Sequence, residues 1–344
     1  MIPGLVSIIV LNWNGKEVIF ECLDSLLRQR YRAFEIILVD NGSSDGSLDL
    51  LRDKYGPALK ILANAVNLGF AEGCNVGIRG SRGEFIALFN SDATAEPLWL
   101  EELVKGLQND PLVGMCASKI YLRGQDRVID NTGQKITRDG LGRARGRLEK
   151  DEGQYDRVSE VLCPSGCAGL YRRSMLEEIG LLDRRFFAYA DDIDIGLRGR
   201  LLGLKCLYIP TAVAHHRLSA SLGTLSSFKA YLVERNRLWV AIKCFPLRYL
   251  VQAPYCTLLR YFYNLAGVFS QKGPAARFVR TASFGEILWV TIKGYLSTLW
   301  YLPYLLRERG KISRSSTTSA REFGTWLRKF GLSAKEGALN EVSL

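Results

Sequence analysis

A chain of 344 residues with 47% hydrophobic content suffices for one α/β domain of about 200 to 250 residues plus an appended segment, and is too long for a single small domain. The net charge of +11 gathers at the end: from Phe228 onward there are 18 Lys/Arg against 6 Asp/Glu, and before it 28 against 29. No repeat of roughly 20 to 50 residues is present, which excludes solenoids and propellers.

The N-terminus has no basic leader. Its apolar run, residues 5–11, is short and β-branched and ends in Asn12, Trp13, Asn14 and Gly15, which predicts a buried first strand rather than a secretion signal. Residues 16–29 carry apolar side chains at Val18, Cys22, Leu23, Leu26 and Leu27, a helical spacing. Residues 34–40 read as a second strand, residues 59–63 as a third and residues 84–90 as a fourth, with turn-rich and helical stretches between them. Strands alternating with helices imply right-handed crossovers and a mostly parallel sheet. Ligands of such sheets bind beyond the carboxyl ends of the strands. At those ends stand Asn12 and Asn14, then Asp40 and Asn41, then Asn67, then Asn90, Ser91 and Asp92.

Asp40 has two readings: acceptor of a hydrogen bond from a nucleobase edge, or ordinary turn residue capping the helix that begins near Asp45. Trp13 offers a flat face for stacking. There is no Walker pattern and no G-x-G-x-x-G after the first strand, so ATP hydrolysis and dinucleotide binding lose support. Gly69, Gly73 and Gly77 surround a helix start, where close backbone approach and the helix N-terminus favour a diphosphate. Asp92, at the mouth of the crevice, suits Mg²⁺ or Mn²⁺, which commonly takes one or two carboxylates plus phosphate oxygens.

Asp191, Asp192 and Asp194 open an amphipathic helix. Three carboxylates exceed what the helix dipole uses, which leaves at least one for general base work. His215 and His216 are adjacent on an extended segment and so point to opposite faces; at most one reaches Asp92 to complete a metal shell. Eight cysteines without a C-x-x-C pair read as free thiols, as in a reducing cytoplasm.

Two later apolar stretches, residues 249–269 and 284–306, are long enough to span a bilayer, but Arg260 and Lys293 near their middles each cost about 2.5 to 3.5 kcal/mol there. Glu286, Lys293 and Ser297 fall in a stripe roughly 40° wide. With Arg307, Arg309, Lys311 and Arg314 following, the segment suits a membrane interface. Zinc, helix-turn-helix and RNP signatures are missing, so nucleic acid is not the expected partner. The division is a catalytic domain over residues 1–225, a helical membrane-associating segment over 226–315 and a polar, partly disordered tail over 316–344.

In order, SIIVLNWNG, VDNGSSDGS, NLGFAEGCNVGI, FNSDA, GCAGLYRR, FFAYADDIDIGLRGRLLG and AVAHH resemble glycosyltransferase family 2, inverting enzymes of the GT-A fold, and particularly its rhamnosyltransferase-like bacterial branch. The resemblance covers most of residues 5–221. It implies that Leu11, Trp13 and Asp40 hold the nucleotide of a nucleotide-sugar donor, with Asn12, Asn67, Gly69, Asn90 and Ser91 around it. Asp92 matches the last acid of the metal-binding D-x-D, and His215 a metal or diphosphate ligand. Asp192 matches the catalytic base with Asp191 beside it, and Asp194 and Arg198 fall on the helix that supports it. Two positions depart from the pattern: Asn90 stands where the first D-x-D acid is usual, and Asp191 where Glu is frequent. The implied reaction is a single displacement with inversion, onto a glycan or lipid-linked acceptor met at the inner face of the cell membrane. The branch suggests rhamnose as the sugar. A polyprenyl-phosphate sugar synthase of the same fold is the alternative.

Overall fold

The computed structural model describes residues 1–217 and 226–339. The first half alternates as the apolar runs dictate: β1 (Ile2–Asn12), α1 (Ile19–Leu27), β2 (Phe34–Asp40), α2 (Ser47–Tyr55), β3 (Lys60–Ala63), α3 (Gly69–Arg79) and β4 (Gly83–Asn90). After it come β5 (Ala93–Ala95), α4 (Trp99–Gln108), β6 (Val113–Leu122), β7 (Ile129–Asn131), β8 (Gln134–Thr137), β9 (Gly142–Ala144), β10 (Ser159–Val161) and β11 (Ala168–Arg172). Then α5 (Arg173–Ile179) and α6 (Asp191–Leu201) lead into the long β12 (Lys205–His216).

The main sheet runs β10-β12-β6-β11-β4-β1-β2-β3. Its β4-β1-β2-β3 half is parallel, whereas β11 enters antiparallel between β4 and β6. Ile8, Val10 and Leu38 pack with α1 and α4 on one face, and Ile9, Ile37 and Val39 with α3 on the other. Burial on both faces explains why these strands read as near-continuous apolar runs. The architecture is therefore the expected α/β GT-A sheet followed by a helical region.

Gly73 and Gly77 of α3 serve packing. A Cβ on Gly73 would lie 2.5 Å from Leu11 Cδ1, and one on Gly77 2.5 Å from Ile9 Cγ2, so the helix rests directly on β1. Its first amides are also used: Asn41 Oδ1 accepts from Leu68 N, Asn67 Oδ1 from Gly69 N and the Phe187 carbonyl from Ala71 N. Three of the amides expected to face a diphosphate there thus donate within the chain.

The helical region comprises α7 (Ser227–Cys244), α8 (Leu247–Leu250), α9 (Ala253–Phe269), α10 (Gly273–Thr281), α11 (Phe284–Trp300), α12 (Leu302–Ser315) and α13 (Ala320–Lys329), then β13 (Gly331–Leu332) and α14 (Ala334–Leu339). Within the expected polar tail, residues 320–339 carry regular elements. A Ser319/Glu322 capping box starts α13, and Phe323 and Leu327 bury its apolar side, a short amphipathic helix hidden within polar composition. β13 then adds to β8, itself paired with β9. The expected boundary at residue 225 and residues 340–344 lie outside the described residues.

No helix among the described residues is long and apolar enough to cross a membrane. Arg260 points inward, to Asp139 at 2.7 Å, and Lys293 lies over the Tyr231 ring of α7. The opposite faces remain open. Tyr255, Leu258, Phe262, Leu265 and Phe269 form one stripe of α9, each 56% to 82% exposed, and on α11 Trp289, Leu296, Leu299 and Trp300 are 54% to 81% exposed. Much of the basicity of this region is internal: Arg235, Arg237, Lys243, Arg260 and Arg309 donate to carbonyls or carboxylates of the fold. All eight cysteines are free.

Candidate active site

A cavity of about 490 Å³ opens beyond the carboxyl ends of β1, β2 and β4, where the topology places a ligand. Leu11, Trp13, Asn67, Gly69, Asn90, Ser91 and Asp92 line one side, and Asp191 and Asp192 face the same space. Strand ends and the start of α6 are thus brought together.

Asn12 and Asp40 do not reach the cavity wall. Both are buried, and Asn12 Nδ2 donates to Asp40 Oδ2 (2.9 Å) and to the Ser47 hydroxyl (3.0 Å), while Asp40 Oδ1 accepts from Ser43 N (3.0 Å). The pair ties the end of β1 to the β2–α2 turn, which is the turn reading of Asp40. Asn41 is the residue of this turn that lines the cavity.

The histidine assignment is corrected. β12 pairs antiparallel with β5, setting His216 opposite Ala93 and His215 opposite Thr94. Side chains alternate along a strand, so His216 turns toward Asp92 and His215 turns away, to Glu96 at 2.9 Å. His216 Nε2 lies 3.2 Å from Asp92 Oδ1 and is shielded from solvent without a hydrogen-bond partner. Its Nδ1 is 2.9 Å from Asp130 Oδ2, and Asp130 in turn pairs with Arg147. A carboxylate holding one ring nitrogen leaves the other directed at its target, as metal-ligating histidines are commonly held. No cluster of three His, Cys, Asp or Glu fit for a metal exists among the described residues. Asp92 and His216 therefore suit a hard cation that takes its remaining oxygens from phosphate and water.

The carboxylate pair is presented by an unusual loop. Phe187, Tyr189 and Ala190 all have positive φ (66°, 68° and 62°), costly for side chains of this size. α7 holds it: Asn236 Nδ2 contacts the carbonyls of Phe186, Ala188 and Tyr189 at 3.1, 2.8 and 2.7 Å, and Arg235 Nη2 donates to those of Arg185 and Phe186. Gly69 is required opposite, because a Cβ there would lie 2.6 Å from the Phe187 carbonyl oxygen.

Asp192 receives Gln134 Nε2 (2.8 Å) and the amides of Gly166 (3.3 Å) and Ile193 (2.8 Å). Burial raises its carboxyl above the ordinary range, while these hydrogen bonds favour the ionised form. Only backbone hydrogen bonds favour the ionised form of Asp191; burial first, then the Asp192 charge, push it up to about 8. Of the two, Asp192 is the one whose carboxylate form is favoured by a side-chain donor as well as by backbone amides.

Asp194 and Arg198 do not touch the cavity. Arg198 Nε donates to Asp194 Oδ2 (2.9 Å), and its terminal nitrogens take the carbonyls of Ile179, Gly180 and Leu181. Lys243 of α7 closes the group at 2.7 Å from Asp194 and 2.8 Å from Asp183. These residues position α6.

The residues that the sequence did not single out are Asp130, Gln134, Arg143, Arg147, Lys229 and Arg237, all lining the cavity. Four of them come from the short β7–β9 segment and its continuation, where no periodicity marked an element. Lys229 carries an amine that burial and the Arg147 charge lower to about 8.

The description Glycosyl transferase family 2 matches residues 7–180. An uncharacterized glycosyltransferase of Haemophilus influenzae is 36% identical over 114 residues, 32% of this chain and 35% of that protein. The O-antigen biosynthesis protein RfbC of Myxococcus xanthus is 27% identical over 225 residues, 63% of this chain and 17% of its own length. The chain thus spans only a part of these relatives. The crystal structure of GalNAc-T7 with UDP, GalNAc and Mn²⁺ shares the fold with a TM-score of 0.60, at 15% identity over 74% of this chain and 50% of that one.

Proposed function

This chain belongs to glycosyl transferase family 2, and we propose that it is a metal-assisted, inverting transferase that moves a sugar from a nucleoside-diphosphate donor to an acceptor hydroxyl in cell-surface polysaccharide synthesis. The acceptor is a glycan or a lipid-linked glycan, and rhamnose is the sugar that the motif resemblance favours. The observation that carries the reading is that a hydrogen-bonded carboxylate, Asp192, and the Asp92–His216 pair face one cavity at the ends of the parallel strands.

In this mechanism Asp192 takes the proton of the acceptor hydroxyl as its oxygen attacks the anomeric carbon. The bond from that carbon to the diphosphate oxygen breaks on the opposite side, so the anomeric configuration inverts. Asp92 and His216 would hold Mg²⁺ or Mn²⁺, whose charge offsets that developing on the leaving diphosphate. Gln134 and the Gly166 amide fix the base, and the burial around Asp191 limits access of competing water. Manganese in the GalNAc-T7 structure supports the choice of cation.

The exposed stripes of α9 and α11 support peripheral attachment to the inner face of the cell membrane, where aromatic and leucine side chains enter the headgroup boundary. A thermal-shift screen of nucleoside diphosphates with and without Mn²⁺, followed by transfer assays of Asp192→Asn, tests the reaction. Donor binding retained with transfer lost by about 10²-fold or more is expected; transfer at the wild-type rate refutes the role of Asp192.

A further inference from the structure

Arg143 and Arg237 of the cavity wall belong to a group with more guanidiniums than carboxylates. Arg237 of α7 and Arg260 of α9 share Asp139 and Glu234: Arg260 lies 2.7 Å from Asp139 and 3.2 Å from Glu234, and Arg237 contacts both carboxylates. Arg143 of β9 is the third guanidinium nearby. It lines the cavity and has no ion-pair partner among the described residues. Its Nη2 donates only to the Gly337 carbonyl (3.2 Å), and its Nε is closed to solvent with nothing to donate to. Burial first, then the Arg260 charge, lower it to about 10. Three guanidiniums therefore meet two carboxylates. Arg143 is half-buried and shares the Asp139 charge with two other guanidiniums; such a shortage of counter-charge is costly, and a ligand that supplies an anion reduces that cost.

The placement indicates which substrate brings it. Arg143 stands opposite Lys135 in the β8–β9 ladder, next to the Gln134–Ala144 pair, and Gln134 holds Asp192. Its other neighbour, Gly142, packs so closely on Ile193 that a Cβ would lie 2.6 Å from Ile193 Cγ1. Arg143 is thus one residue from backbone that touches the residue following the base. Side chains alternate along β8 and β9, so the Arg143 side chain leaves the ribbon on the face opposite Gln134, toward Gly337 of α14, while both residues line the one cavity.

Resting on the reading of the cavity as a glycosyl-transfer site, we propose that Arg143 is the core of an acceptor subsite for an oxyanion, a phosphate or carboxylate group carried by the acceptor. The helices that meet Arg237 through Tyr261 (α9) and Tyr295 (α11) expose apolar outer stripes, an arrangement suited to an anionic group joined to an apolar chain.

Isothermal titration of the full chain tests this with magnesium and a saturating nucleoside diphosphate filling the donor end. The probes are farnesyl phosphate, inorganic phosphate and methyl glucuronide. At least one binds, and Arg143→Gln weakens it by about tenfold or more, the usual scale for loss of a charge-assisted contact, while affinity for the nucleoside diphosphate is unchanged. Arg143→Lys, which keeps the charge, retains most of the binding and separates loss of charge from loss of fold. Preference for farnesyl phosphate assigns the anion to a lipid-borne phosphate, equal binding of inorganic phosphate to phosphate alone, and preference for the glucuronide to a sugar carboxylate. The proposal is overturned if no probe binds, if the variants bind like wild type, or if Arg143→Gln weakens the nucleoside diphosphate instead. Transfer lost in Asp192→Asn is read separately from probe binding by the Arg143 variants, so failure of the subsite stays distinguishable from failure of the reaction assignment.

Discussion

Substituting Asp194→Asn should cost the fold far more than it costs the chemistry. Its side chain is 1% exposed and lies 2.9 Å from Arg198 and 2.7 Å from Lys243, which are 6% and 3% exposed. In the native protein two cations face two carboxylates, Asp194 and Asp183; after the substitution the same cations share Asp183 alone. Removing one partner of a buried pair typically costs about 3 to 5 kcal/mol, a large part of an overall stability of about 5 to 15 kcal/mol. With a urea slope of about 3 kcal/mol per molar, the midpoint should fall by about 1 to 1.7 M. Urea melts followed by near-ultraviolet circular dichroism measure this. Adding Lys243→Met removes the orphaned charge and should recover part of the loss. A destabilisation under about 1 kcal/mol, or a double variant no better than the single, would refute the charge-balance argument. A drop in kcat at full stability would instead make Asp194 part of the chemistry.

His216→Gln should weaken Mn²⁺ binding, read by electron paramagnetic resonance, by about tenfold or more, and Asp130→Asn by about 10- to 100-fold through loss of ring orientation. His215→Gln should leave it unchanged, and an equal effect of the two histidines would sink the β12 assignment. The acidic limb of kcat/KM should titrate above the ordinary aspartate value of about 3.9, because burial raises both members of the pair; activity rises with pH as Asp192 ionises. For stability the sign reverses: a raised carboxyl favours the fold while protonated, and that contribution fades as pH climbs from the unfolded value through about 8 for Asp191. Asp191→Asn should therefore flatten the decline, and an unchanged pH profile of urea midpoints would contradict this. Trp289→Glu with Trp300→Glu should reduce co-sedimentation with anionic vesicles while melting like wild type; unchanged sedimentation would count against the exposed face.

The parallel half of the sheet was legible because strands buried on both faces must be continuously apolar, so residues 5–11 and 34–40 announced themselves, as did the polar residues beyond them. Asp92, Asp191 and Asp192 followed from position alone. Strand alternation established that His215 and His216 diverge, but the choice between them depended on the pairing of β12 with β5, a contact between segments more than 100 residues apart. Gln134, Asp130 and Arg143 were hidden for another reason. They belong to strands of three or four residues, too short to show a period. The glycines of α3 pointed to a phosphate because glycine permits close approach; Gly73 and Gly77 approach β1, and Gly69 approaches Phe187. Arg260 and Lys293 looked like obstacles to an apolar surface until their inward direction removed them from it.

The contacts of Asn236 and Arg235 with the loop before Asp191 bear on how this protein can be dissected. The family match ends at residue 180, ahead of the carboxylate pair, and the helix that fixes the pair's geometry begins at Ser227. A chimera that grafts the matched segment onto another C-terminal half would inherit the strand ends but not the clamp, and its base would be placed by foreign side chains. Swapping specificity between relatives of this kind therefore calls for a crossover after α7, with the base and its clamp exchanged as one inherited block.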